Sequence, residues 1–130
     1  MNSIDIESHV ARARELHKQG YNCCQSVVLA YKDLLPIDEE NLQNLAAPFG
    51  RGLSGLREVC GCVSGMAMVC GLTGNSDAVK ELAGRFRDEN GDINCGRLLQ
   101  MGASRRPCND LIACAARLLG EYLQAKDENL

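Results

Sequence analysis

The chain has no tryptophan, only three tyrosines and two phenylalanines, three prolines, two histidines and no excess of basic charge. With five aromatics spread over 130 residues there is no platform for stacking bases. A net charge of -3 argues against a surface built for nucleic acid or anionic lipid, which needs a basic excess. Long apolar runs are missing too. The longest, Val59 to Leu72, falls short of the ~20 residues of a membrane span, so the chain is not expected to be membrane-embedded. The N-terminus carries Asp5, Glu7 and Glu15 where a secretion signal needs an apolar core. A cytoplasmic location is the expectation.

What the chain has instead is eight cysteines and thirteen glycines. A domain of this length can bury a real core and does not need disulfide staples. In a reducing compartment thiols stay free, so clustered cysteines point to redox or metal chemistry.

Helical periodicity dominates and no alternating strand pattern is visible. The pattern predicts an all-α, compact single domain over residues 1–130, with six or seven short helices and no sheet. A first helix is expected from Asp5 to Gln19, stopped by Gly20. A second starts behind Asn22 as N-cap and ends by Pro36, and a third lies in "DEENLQNLAAPFG". "GRGLSG" reads as a loop. It matches G-x-G-x-x-G, but "LAAPF" and not a strand precedes it.

A buried helix is expected from Leu56 to Leu72, then one capped by Asn75 or Ser76 and ending near Glu89–Gly91. Asn94 caps a short "CGRLLQM" helix, and a last helix runs from Pro107 to Lys126. His9 and His17 fall in the charged first helix, where a solvated surface role is expected. No hydrolase or kinase motif is present.

Four cysteines fall at or near four helix N-termini: Cys23, Cys60, Cys95 and Cys108. The positive end of a helix favours the thiolate. Basic neighbours add to this: Arg57 near Cys60, Arg97 near Cys95, and Arg105 with Arg106 before Cys108. Cys70 and Cys114 sit mid-helix on apolar stripes and read as packing. Cys24 and Cys62 are intermediate. Residues two apart on a helix face nearly opposite ways, so Cys60 and Cys62 share a site only if their helix starts late. Gly61 and Gly65 lie one turn apart on one face and leave room for a close approach, by a helix or by a cofactor.

These segments resemble a known family, the redox-active proteins named for the cysteine pattern C_GCAxxG_C_C. "YNCCQSV" is similar to its Asn-Cys-Ala-Gln segment, "FGRGLSGLREVCGCVSGMAMVCGL" to its glycine-rich loop and motif helix, and "FRDENGDINCGRLL" and "RRPCNDLIACAARLL" to its later cysteine segments. The resemblance puts the family's four cysteines on Cys23, Cys60, Cys95 and Cys108. Cys24 and Cys62 stand where the pattern has alanine. It implies a small α-helical redox protein, often encoded beside transporter genes, and so a functional link to a transporter.

Two chemistries stay open at this point. One is thiol redox chemistry or electron transfer through the four cysteines, as a dithiol or around an iron-sulfur cluster, which leaves an oxidoreductase activity open. The other is binding or sensing of a soft metal such as zinc or copper by the same thiolates, with Cys24 and Cys62 as extra ligands. A domain whose cysteines merely pack is the third reading. A protein redox partner is expected, and a homo-oligomer is compatible with the sequence.

Overall fold

The computed structural model describes residues 4–100 and 108–128. Among them it is all helical: α1 (Ile6–Lys18), α2 (Cys23–Ala30), α3 (Glu39–Ala46), α4 (Gly61–Leu72), α5 (Val79–Asn90), α6 (Cys95–Leu99) and α7 (Cys108–Glu128), with short 3-10 turns between. No sheet forms among these residues, and an isolated antiparallel bridge joins Val59 and Asn94. No described helix is long and apolar enough to cross a membrane. The expected start of the last helix at Pro107, and Arg105 and Arg106, lie outside the described residues.

Helix α2 is the centre of the packing. It touches α1, α3, α4 and α7, and Cys24 and Ser26 through Ala30 are all buried. It ends at Ala30, before Pro36, because Tyr31 turns inward. The Tyr31 hydroxyl donates to the Ala116 carbonyl at 2.7 Å, and Arg12 covers the freed Ala30 carbonyl at 2.8 Å. The core is completed by Leu29, Leu42, Met66, Leu82, Phe86, Ile112, Leu118 and Leu119, all essentially inaccessible to water. Burial of this kind stabilises by roughly 1.5–3 kcal/mol per large side chain.

Gly65 supports this packing directly. A Cβ there would lie 2.9 Å from Val27 Cβ, so the missing side chain lets α4 press onto α2. Gly120 does the same for α7 beneath the Tyr31 hydroxyl.

Three local expectations need correction. The helix expected from Leu56 begins only at Gly61, with Cys60 as its extended N-cap. Residues 57–60 are pulled into backbone pairing with 93–96: Cys60 N–H donates to Ile93 at 2.7 Å, Cys95 N–H to Glu58 at 2.6 Å, and Gly96 N–H to Arg57 at 3.2 Å. Tertiary hydrogen bonds have outbid local helix formation. Asn75 does not cap a helix with its side chain, which turns back to Thr73. His9 is buried and not solvated. Its ring stacks on Tyr31 at 4.3 Å and meets the Asp33 carboxylate at 3.2 Å, tying α1 to the turn after α2.

"GRGLSG" is ordered. Every residue from Arg51 to Gly55 has positive φ, and so does Arg57. Ser54 N–H donates to the Gly50 carbonyl at 2.9 Å and Gly55 N–H to Arg51 at 3.2 Å. This is one turn of left-handed helix. It costs about 1–2 kcal/mol for each non-glycine residue held there.

Candidate functional site

The site is assembled where the N-termini of α2, α4, α6 and α7 meet the left-handed turn. Asn22 sets the first of these. Its side chain accepts from Gln25 N–H at 2.9 Å while the Gln25 side chain accepts from Asn22 N–H at 3.0 Å, a reciprocal cap that starts α2 at Cys23. The other end of the Asn22 amide donates to Ala47 at 3.0 Å, and Gly50 lies against it with no room for a Cβ. Asn22 thus holds the turn over the first cysteine.

Asn94 performs the same service for α6. Its side chain accepts from Arg97 N–H at 3.0 Å, and Asp92 accepts from the N–H groups of Ile93 and Asn94 at 2.8 and 2.9 Å. The backbone pairing of 57–60 with 93–96 then fixes Cys60 and Cys95 relative to each other.

Five cysteines, Cys23, Cys60, Cys62, Cys95 and Cys108, line one cavity of about 370 Å³. Apolar walls come from Leu98, Leu99, Leu111 and Tyr21, cationic ones from Arg51 and Arg57, and His17 adds an imidazole. Because α4 starts at Gly61, Cys60 on the cap and Cys62 in the first turn can face the same space. Gly61 has the sulfur of Cys23 where its own side chain would be. Gly61 clears room for a thiol, whereas Gly65 faces Val27.

The thiols differ in acidity for definite reasons. The Cys62 thiol is hydrogen-bonded to both Cys23 and Cys60. That bond is the largest influence on Cys23, which is held down at about 6, with the backbone N–H groups of Arg51, Cys24 and Cys23 adding to it against the opposing effect of burial. Cys60 is lowered as well, again chiefly by Cys62. Cys62 itself, fully buried and bonded to two sulfurs, is pushed well up and keeps its proton. A protonated thiol between two readily ionised ones is the electrostatic pattern at this site.

Cys95 and Cys108 lie further round the wall. The Arg57 guanidinium donates to Cys95 Sγ at 3.5 Å and not to Cys60, while Arg97 is drawn to Asp92 at 3.4 Å and not to Cys95. Cys108 departs from the expected lowering. Although the residue is exposed, partial desolvation of its thiol on the cavity side, and then the nearby Cys23, Cys60 and Cys95, push it up. Its helix N-terminus does not outweigh those effects.

Cys24 does not line the cavity. It is buried beside Met68 with 3.8 Å between the sulfurs, and burial pushes it up. Cys70 is likewise buried and raised to about 11. Cys114 is buried among Asn90, Arg117 and Glu89. Among the described residues no three cysteine, histidine or carboxylate side chains form a preformed metal cage. The sequence alone did not single out Arg51 or His17 as site residues. The signal available for Arg51 was its place between two glycines in "GRGLSG".

Comparison with curated proteins and with solved structures gave no match. A family model described as "Putative redox-active protein (C_GCAxxG_C_C)" matches residues 21–122, which take in all five cavity cysteines and the left-handed turn. The chain belongs to the C_GCAxxG_C_C family of redox-active proteins.

Proposed function

We propose that the chain is a thiol–disulfide exchange protein in which Cys23 is the attacking thiolate and Cys60 resolves the mixed disulfide. The observation that carries this reading is that Cys23 and Cys60 line one open cavity with Cys62, the Cys23 sulfur filling the space that a side chain at Gly61, the residue after Cys60, would take. A thiolate present at neutral pH is the nucleophile in such exchange, and a second thiol within reach releases the product. Cys62, protonated beside them, has one S–H to donate, and giving it to Cys23 steadies the attacking thiolate.

A second protein that re-reduces the pair has an apolar landing beside the site. Leu53, Leu56 and Val59 are 41%, 67% and 43% exposed on the segment that also carries Arg51 and Arg57. Grouped apolar exposure of this kind favours a protein partner.

The cavity also favours a second reading, since its cysteines are a chemically suitable donor set for a soft metal or an iron-sulfur centre. Cys23, Cys60, Cys95 and Cys108 would be the ligands, with Cys62 as a fifth thiol, and the bound group would supply one-electron transfer or tetrahedral thiolate coordination.

The test is to oxidise the reduced protein with one equivalent of a small disulfide, block free thiols and map the linkages by mass spectrometry. A Cys23–Cys60 linkage is expected, and Cys60→Ser should trap the mixed disulfide on Cys23. Linkage confined to other cysteines overturns the assignment.

A further inference from the structure

We propose that the cavity selects small anionic disulfides, low-molecular-weight disulfides bearing carboxylates, which Arg51 and Arg57 hold while Cys23 attacks. The proposal rests on the thiol-exchange reading above and names its substrate class.

Charge is the first ground. The chain carries 17 acidic residues against 14 basic ones, yet among the described residues no aspartate or glutamate lines the cavity, whereas Arg51 and Arg57 do. Elsewhere five of the six described arginines, Arg12, Arg14, Arg85, Arg97 and Arg117, each form an ion pair with a carboxylate, and the exposed Arg87 does not. Among the described residues Arg51 and Arg57 have no such ion pair, and Arg57 is turned onto the Cys95 sulfur inside the site. An arginine fork matches a carboxylate with two parallel hydrogen bonds.

Backbone geometry is the second ground. Arg51 and Arg57 both sit at φ 59°, a conformation that L residues avoid and that glycine adopts freely. Strain of this kind gathers at functional sites. Here it falls on both residues that give the cavity its charge, together with Leu53 and Ser54 between them.

Size is the third. About 370 Å³ lies at the lower end of the range for small-molecule pockets, and Cys60 and Cys62 are 5% and 1% exposed at its wall. A compact ligand reaches sulfurs so recessed, while Leu98, Leu99 and Leu111 offer its carbon chain an apolar wall.

The exchange balances without any further reagent. The Cys23 thiolate attacks one ligand sulfur, the ligand S–S bond breaks, and one half leaves as a thiolate while the other stays joined to Cys23. Cys60, once its thiol proton is lost, attacks the Cys23 sulfur and expels the second half. Two protein thiols become one disulfide, one small disulfide becomes two thiols, and two electrons with two protons pass to the ligand. The negative charge that develops on each leaving sulfur is met by the guanidinium groups.

The experiment uses the full, reduced chain and three disulfides of similar size: dithiodiglycolate (anionic), bis(2-hydroxyethyl) disulfide (neutral) and cystamine (cationic). Modification of Cys23 is followed by mass spectrometry, and each rate is divided by that of the same disulfide with a free small thiol. The anionic disulfide is expected to exceed the neutral one by about tenfold and the cationic one to fall below it, with the gap closing as salt is added. Arg51→Gln and Arg57→Gln should each bring the anionic-to-neutral ratio towards one, and Arg87→Gln, on an exposed position outside the cavity, should keep it.

Equal normalised rates for all three charges overturn the anion preference and leave thiol exchange standing. Failure of all three to modify Cys23 overturns the exchange reading, and the substrate class falls with it.

Discussion

The Cys62 thiol donates to the Cys23 sulfur from a position that is itself fully buried. Cys62 is thus the main support of the lowered Cys23 thiol. Cys62→Ala removes that donor and leaves the burial of Cys23 in place. The Cys23 titration should move up by about one unit or more, read as the pH dependence of its alkylation. An unchanged profile means the backbone N–H groups alone hold the thiolate.

The two glycines of the motif should separate cleanly. Gly61→Ala sets a methyl group where the Cys23 sulfur lies, and Gly65→Ala sets one 2.9 Å from Val27. Both overpack, at a cost of roughly 1–3 kcal/mol. Only Gly61→Ala should also slow Cys23 alkylation, by about tenfold, because it displaces the thiol from its donors. Urea unfolding and labelling kinetics on both variants distinguish the two roles.

Stability should depend on pH through Cys23. Its folded value of about 6 lies below the ordinary 9.0, so between those values the unfolded chain binds more protons at this site. The contribution is complete above pH 9 and lost as pH falls through 6. Under reducing conditions the stability gap between the native chain and Cys23→Ser should widen from pH 6 to pH 9 by more than about 1 kcal/mol. A gap that stays flat contradicts a stabilised thiolate.

The left-handed turn predicts a gain from glycine. Leu53 has φ 73° and is 41% exposed, so Leu53→Gly relieves strain while losing little packing. The variant should unfold at a higher temperature, a gain of up to about 1 kcal/mol after the added freedom of the unfolded chain. Destabilisation instead shows that the Leu53 side chain packs better than its exposure indicates.

Much of this site was legible in the chain, and the limits are physical. Asn22 and Asn94 announce their helix starts because an N-cap is a local device, read within four residues. Cys23 and Cys95 are placed by those caps. Cys60 and Cys62 are different, because whether they share a site depends on where α4 begins. That start is set by hydrogen bonds to Glu58, Ile93 and Arg57 across more than thirty positions of chain, which no local pattern encodes. The partners of the basic side chains are non-local for the same reason. Arg57 and Arg97 follow the partners that tertiary pairing gives them, Cys95 and Asp92.

The most direct test of the account is the rate of Cys23 alkylation by iodoacetamide as a function of pH, read residue by residue with mass spectrometry on the reduced, metal-free chain. The account predicts a midpoint near 6 for Cys23, with Cys62 unreactive across the same range. A Cys23 midpoint close to the ordinary thiol value of 9.0 would contradict it.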